Sequence, residues 1–201
     1  MMVRNQRAPA FQAEKALAAV SYLTQQTGAD LYSVMKMLYL ADKDHLGRFG
    51  RTITGDMYTA MKNGPVPDRA YNLCKFVGGR RSHYDALPTA REHLVLRDNV
   101  FELLQAPDLC QLSKSDLRAL DGAAAIYAEG GWRAVRKASH DPAWKAYWAE
   151  AQAQDLGSKE MDITAIAATL PNGPAVIEYL CDSSPGEATA PAASEQQLEH
   201  C

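Results

Sequence analysis

The chain has 201 residues, 47% of them hydrophobic, and a formal net charge of -3. One domain of roughly 50–250 residues is the default for such a length, and a core of this size needs no disulfide or metal to hold it. The near-neutral balance argues against a protein built to coat nucleic acid, where a basic face dominates. The charge is uneven: Asp182, Glu187, Glu195 and Glu199 stand in a stretch from Cys181 onward that has no Lys or Arg, and the body without it is at about +1.

Residues 1–9 read as a loose arm. A helix is expected over 11–27, where Phe11, Leu17, Val20 and Leu23 recur at helical spacing and Gly28 ends the run. Asp30 suits the N-cap of a second helix, 31–49, because its carboxylate can accept the free N–H groups of the first turn. That helix carries Leu31, Val34, Met35, Leu38, Leu46 and Phe49, and is apolar on more than one face around 35–40, so it should be the most buried. Gly50 stands at its stop. Residues 53–61 alternate apolar and polar and read as short extended structure. Asn63, Gly64, Pro65, Val66 and Pro67 read as a rigid turn, with Pro67 opening a helix to Phe76.

Residues 93–97 and 100–104 around Asp98-Asn99 form the clearest hairpin signal, since both central residues tolerate positive φ. Ser113 and Asp116 resemble a capping box for a helix to Glu129, which Gly130-Gly131 should break before a short helix over 132–139. Asp141-Pro142 opens another helix, with Asp141 as cap. Short helices are expected over 163–170 and 174–180. The last residues, 182–201, lack the apolar surface to offset ordering entropy and read as a disordered acidic tail. The fold class that follows is α+β, mostly α: a single helical domain over 10–181 with a small antiparallel hairpin or sheet element.

No catalytic signature stands out. There is no G-x-S-x-G elbow and no Walker loop. Cys74, Cys110, Cys181 and Cys201 contain no C-x-x-C pair, so reduced, scattered thiols are expected and neither a metal nor a cofactor. Asp42 and His45 can share a helix face, which suits acid–base or metal chemistry; the plainer reading is the solvated face of an amphipathic helix. Lys75, Arg80, Arg81 and His83, with Tyr84, make a small basic patch that reads first as a solvated loop. Trp132, Trp144, Tyr147 and Trp148 are either partner anchors or core. With no apolar run long enough for a leader or a membrane span, a soluble cytoplasmic protein is expected.

Two stretches carry a family resemblance. Met35-Lys36-Met37-Leu38-Tyr39-Leu40-Ala41-Asp42, followed by Phe49-Gly50-Arg51-Thr52-Ile53-Thr54-Gly55-Asp56-Met57-Tyr58-Thr59-Ala60-Met61-Lys62-Asn63-Gly64-Pro65-Val66-Pro67, resembles the signature of the Panacea domain of SocA-type antitoxins. Ser139-His140-Asp141-Pro142-Ala143-Trp144 is similar to that family's later "T-H-x-x-x-W" element, with small departures at Met37, Phe49, Thr52 and Ser139. The resemblance implies an antitoxin that binds and neutralises a protein toxin encoded by an adjacent gene, with no catalysis of its own. It further implies an adaptor that hands the toxin to an AAA+ protease such as ClpXP.

The residues marked by the resemblance as partner-binding or motif positions are Lys36, Tyr39, Asp42, Arg51, Gly55, Asp56, Tyr58, Met61, Gly64, Pro65, Val66, Pro67, His140 and Trp144. Lys36, Tyr39 and Asp42 share one side of their helix, facing the extended segment and turn. A competing reading is that these residues simply hold the fold. Membrane and nucleic-acid partners are not expected. The alternative function is a small-molecule or nucleic-acid-processing enzyme in which Asp42, His45 and His140 converge.

Overall fold

The computed structural model describes residues 10–80 and 87–182. The expected arm 1–9, the tail beyond Asp182, and Arg81, His83 and Tyr84 of the basic patch lie outside the described residues. The architecture is α+β and mostly helical, with eight α-helices and five short antiparallel strands among the described residues.

Helix α1 (Ala13–Thr27) ends at Gly28, whose φ of 59° is left-handed. Helix α2 (Leu31–Phe49) is capped by Asp30, whose carboxylate accepts the N–H of Ser33 at 2.8 Å. Its middle is buried: Val34, Met35, Met37, Leu38, Tyr39 and Ala41 are each 2% exposed or less, while Arg48 and Phe49 at its end are exposed. Strands β1 (Tyr58–Met61) and β2 (Gly64–Pro67) form a hairpin, with Tyr58 opposite Pro67 and Met61 opposite Gly64. Helix α3 (Asp68–Val77) follows directly.

A short helix α4 (Ala90–His93) leads into the hairpin β3 (Leu94–Arg97) and β4 (Val100–Leu103). Its turn is as the sequence suggests: Asp98 and Asn99 have φ of 50° and 65°. Helix α5 (Lys114–Ser139) has a full capping box between Ser113 and Asp116, and its backbone departs from helical geometry at Gly130 and Gly131. Helix α6 (Pro142–Ala153) is capped by Asp141. Strand β5 (Ser158–Met161), α7 (Ile163–Ala167) and α8 (Gly173–Asp182) complete the described fold.

Two expectations are corrected. Extended structure over 53–61 shrinks to Tyr58–Met61, because the preceding residues are bent around the Asp42 carboxylate. The rigid turn over 63–67 is instead a strand; Gly64 to Pro67 pair with β1, and the turn itself is Lys62-Asn63. Two prolines are tolerated there because β2 is the outer strand of the sheet order β2-β1-β5, where a missing N–H breaks no second ladder. Strand β5 and helix α4 carry too little periodic signal in four residues each to be read beforehand.

Two apolar clusters share α2. The larger joins α1, α2, α3 and α5 with the β3–β4 hairpin through Leu17, Val20, Leu23, Leu38, Leu73 and Leu120, among others. The smaller packs Tyr39 and Leu46 of α2 against Tyr58, Met161, Ile166 and Val176. Helix α2 therefore runs between two cores, and any polar group on it must be satisfied without water.

Candidate functional site

The side of α2 that carries Lys36, Tyr39 and Asp42 faces the β1–β2 hairpin and the start of α6. Asp42 is 1% exposed. Its Oδ1 accepts the N–H of Ile53 at 2.7 Å and its Oδ2 accepts the Thr54 hydroxyl at 3.0 Å and the Tyr58 hydroxyl. Burial raises the Asp42 pKa, and the bonds from Tyr58, Ile53 and Thr54 oppose that rise. This carboxylate shapes the bend between α2 and β1.

Asp56 performs the same service for α3. It accepts the N–H groups of Met57 at 2.8 Å, Arg69 at 3.0 Å and Ala70 at 2.8 Å. The last two are orphan donors of the first helical turn, so Asp56 caps α3 from outside it. Burial pushes its pKa up to about 6 against the pull of those three N–H groups. Gly55 supplies the left-handed φ of 68° between the two anchoring carboxylates and donates its N–H to Thr52 Oγ1 at 3.1 Å.

The later motif closes onto the earlier one. Tyr39 donates its hydroxyl to Asp141 Oδ2 at 2.7 Å, and Lys43 Nζ reaches the same oxygen at 2.5 Å. The other Asp141 oxygen accepts the Trp144 N–H at 3.0 Å as the cap of α6. The Trp144 indole N–H donates to the Met61 carbonyl at 2.9 Å, fixing α6 to the end of β1. Tyr39 and Tyr58 meet edge to face at 5.0 Å between centroids. Burial comes first in raising both phenol pKa values, with the neighbouring Asp141 and Asp42 adding to it.

Lys36 is 1% exposed and donates to the Pro65 carbonyl at 2.6 Å. Burial, with help from the nearby Arg136 guanidinium, lowers its pKa to about 7. His140 stacks on Trp144 at 3.8 Å between ring centroids; burial lowers its pKa, and a hydrogen bond with the Asn63 backbone works the other way. Gly64, at φ 111°, must be glycine for two reasons: its backbone is left-handed, and a Cβ would sit 2.8 Å from His140 Nε2 and 2.9 Å from Lys36 Nζ. Tyr32, one turn before Lys36, donates its hydroxyl to the Asn63 carbonyl at 3.0 Å.

His45 belongs to a separate network. Its Nδ1 lies 2.9 Å from the Arg51 carbonyl and its Nε2 lies 3.1 Å from Asp116 Oδ1. Lys15 pairs with the other Asp116 oxygen at 2.7 Å. Burial alone would raise the Asp116 pKa, but His45, Lys15 and the Ser113 N–H together hold it well below the usual carboxylate range. Asp42, His45 and His140 thus each serve different partners, and among the described residues no group of three or more His, Cys, Asp or Glu side chains converges as metal ligands would.

The motif positions therefore fall together. Lys36, Tyr39, Asp42, Gly55, Asp56, Tyr58, Met61, Gly64, Pro65, Pro67, His140 and Trp144 bond to one another or anchor the segments between them. Val66 sits opposite Thr59 in the hairpin, and Arg51 contributes its carbonyl to His45. Residues 34–145 match the family model described as "Antitoxin SocA-like, Panacea domain". The chain belongs to that family. No curated protein and no solved structure matches it.

In this Panacea domain the sequence motif is a folding device as well as a label. Sequence reading missed the second role of Asp141, which ties Tyr39 and Lys43 besides capping α6. It also missed Tyr32 and Arg136, although Tyr32–Lys36 and Arg136–His140 both have the one-turn spacing that could have flagged them. The pairing of His45 with Asp116 left no local signal. Cys74 is a buried free thiol whose pKa burial raises, so it is filler in α3. No helix among the described residues is long and apolar enough to cross a membrane.

Proposed function

We propose that this chain is the antitoxin of a toxin–antitoxin pair, binding and neutralising a protein toxin encoded beside it. The family match over residues 34–145 carries the reading. The geometry supports it in a second way. The polar residues of catalytic type are committed to internal bonds: Asp42 to three donors, Asp56 to three N–H groups and His45 to Asp116. Such ties give a preformed, rigid surface, which lowers the ordering cost of binding a partner. Delivery of the bound toxin to an AAA+ protease of the ClpXP type is the onward fate that this family suggests.

Co-expression with the adjacent gene is the test. The expected result is relief of growth arrest and co-elution of the two proteins. Separate elution with persisting arrest defeats the reading. Toxin half-life with and without the protease then decides whether neutralisation works by occlusion or by delivery.

A further inference from the structure

One cavity is lined by none of the motif residues. It has a volume of about 80 Å³, room for roughly five water-sized groups. Its walls come from three parts of the fold. Glu14, Leu17, Ala18 and Ser21 recur at helical spacing, so one face of α1 forms the first wall. Leu87, Thr89 and His93, before and within α4, form the second. Pro107, Asp108 and Gln111, around the 3-10 turn Leu109–Gln111, form the third.

The lining is graded. Leu17, Ala18 and Ser21 are buried, Leu87 and Pro107 half-buried, and Glu14 and Asp108 exposed. An apolar interior is thus joined to an acidic rim. Ser21 is the polar exception inside: it is 2% exposed, and its hydroxyl has no hydrogen-bond partner. Such a hydroxyl is rare in a folded chain, and a donor occupying the cavity would satisfy it. The two carboxylates are also unbalanced. Neither Glu14 nor Asp108 is in an ion pair among the described residues, and no described Lys or Arg lines the cavity. Asp108 accepts the Cys110 N–H at 3.1 Å and a Gln111 side-chain N–H at 3.2 Å, both from neutral donors that leave its charge in place. The basic residues next along the chain are turned elsewhere, Lys15 to Asp116 and Arg91 to the Phe76 carbonyl.

We infer that this cavity is a binding site for a primary alkylammonium group. An ammonium carries three donors and no acceptor, and it finds acceptors here in the Glu14 and Asp108 carboxylates and the Ser21 hydroxyl. Leu17, Ala18 and Leu87 receive the alkyl stem, whose transfer out of water supplies the uncharged part of the affinity. The two carboxylates repel an anion, and a neutral molecule leaves them unanswered. The small volume limits the stem to a few carbons. The group arrives either on a free amine or on a lysine of a bound protein, and its chemistry at the cavity is the same in both. Only the second source rests on the antitoxin reading, which would supply the identity of that protein.

The isolated full chain tests the site without any toxin. Butylammonium chloride, titrated against sodium chloride at constant ionic strength, is expected to shift the His93 ring resonances saturably. Glu14→Gln combined with Ser21→Ala removes one charge and one hydroxyl at helical positions that accept the new residues, and should weaken binding about tenfold or more. Glu14→Gln alone, at an exposed position that leaves the fold intact, should weaken it about threefold. The absence of a saturable shift in the natural chain overturns the site, as does an unchanged affinity in both variants. Equal binding of butan-1-ol overturns the ammonium assignment. The second arm adds the product of the adjacent gene. Loss of the butylammonium shift in the complex, with weaker association of Glu14→Gln, assigns the cavity to a lysine of that protein. A shift that persists in the complex assigns it to a free amine. If the two proteins do not associate, the antitoxin reading fails while the first arm still decides the site.

Discussion

Lys36 and Asp42 lie within two turns of each other on α2, and each is 1% exposed. Their surroundings are opposite. Asp42 receives three donors from Ile53, Thr54 and Tyr58, so its charge is spread over bonds that shape the chain. Lys36 has one carbonyl and a neighbouring guanidinium, so its charge is opposed. Equal burial therefore conceals two roles. A buried ion with a full set of partners keeps its charge, whereas one held against like charge gives up its proton more readily.

Removal of each group breaks or sharpens that contrast. Asp42→Ala strands three buried donors and should cost about 3–5 kcal/mol, read as a fall in the urea midpoint; a smaller loss would mean that water replaces the carboxylate. Gly64→Ala forces a Cβ into left-handed backbone beside His140 and Lys36, and should cost about 2–3 kcal/mol in the same assay.

Lys36 gives a pH signature instead. Its folded pKa of about 7 lies below the ordinary 10.5. The folded chain has therefore released a proton that the unfolded chain still holds between those values. Stability should rise with pH from about 7 to 8.5 at a slope approaching 1.4 kcal/mol per unit, before cysteine and tyrosine titrations oppose it. Lys36→Met should flatten that slope. Trp144→Phe keeps the stacking on His140 but loses the bond to the Met61 carbonyl, and should cost about 1 kcal/mol. Hydrogen exchange at the end of β1 should rise with it.

Much of the fold was legible because its signals are local. Asp30, Ser113 and Asp141 cap the helices that the sequence assigned to them, and Asp98-Asn99 makes the expected hairpin turn. Those features depend on residues three or four apart. Lys36, Tyr39 and Asp42 could be placed on one helical side for the same reason. What they bond to was hidden, because Asp141 lies about a hundred residues beyond Tyr39 and such pairings leave no periodic trace. The two prolines of β2 misled for a physical reason: they forbid a central strand, and only the sheet order reveals that β2 is an edge.

The sheet order also matters to how the protein is made. Strand β1 is paired on one side by β2, its immediate neighbour, and on the other by β5, which leaves the ribosome much later. Until Met161 has emerged, the growing polypeptide offers an unzipped β1 flank, the kind of surface that invites wrong pairings. A fragment cut at residue 145, where the family match stops, would keep that flank permanently open. The stretch from Ser158 to Met161 is then a built-in clasp, and trimming the gene to its recognisable motif would discard it.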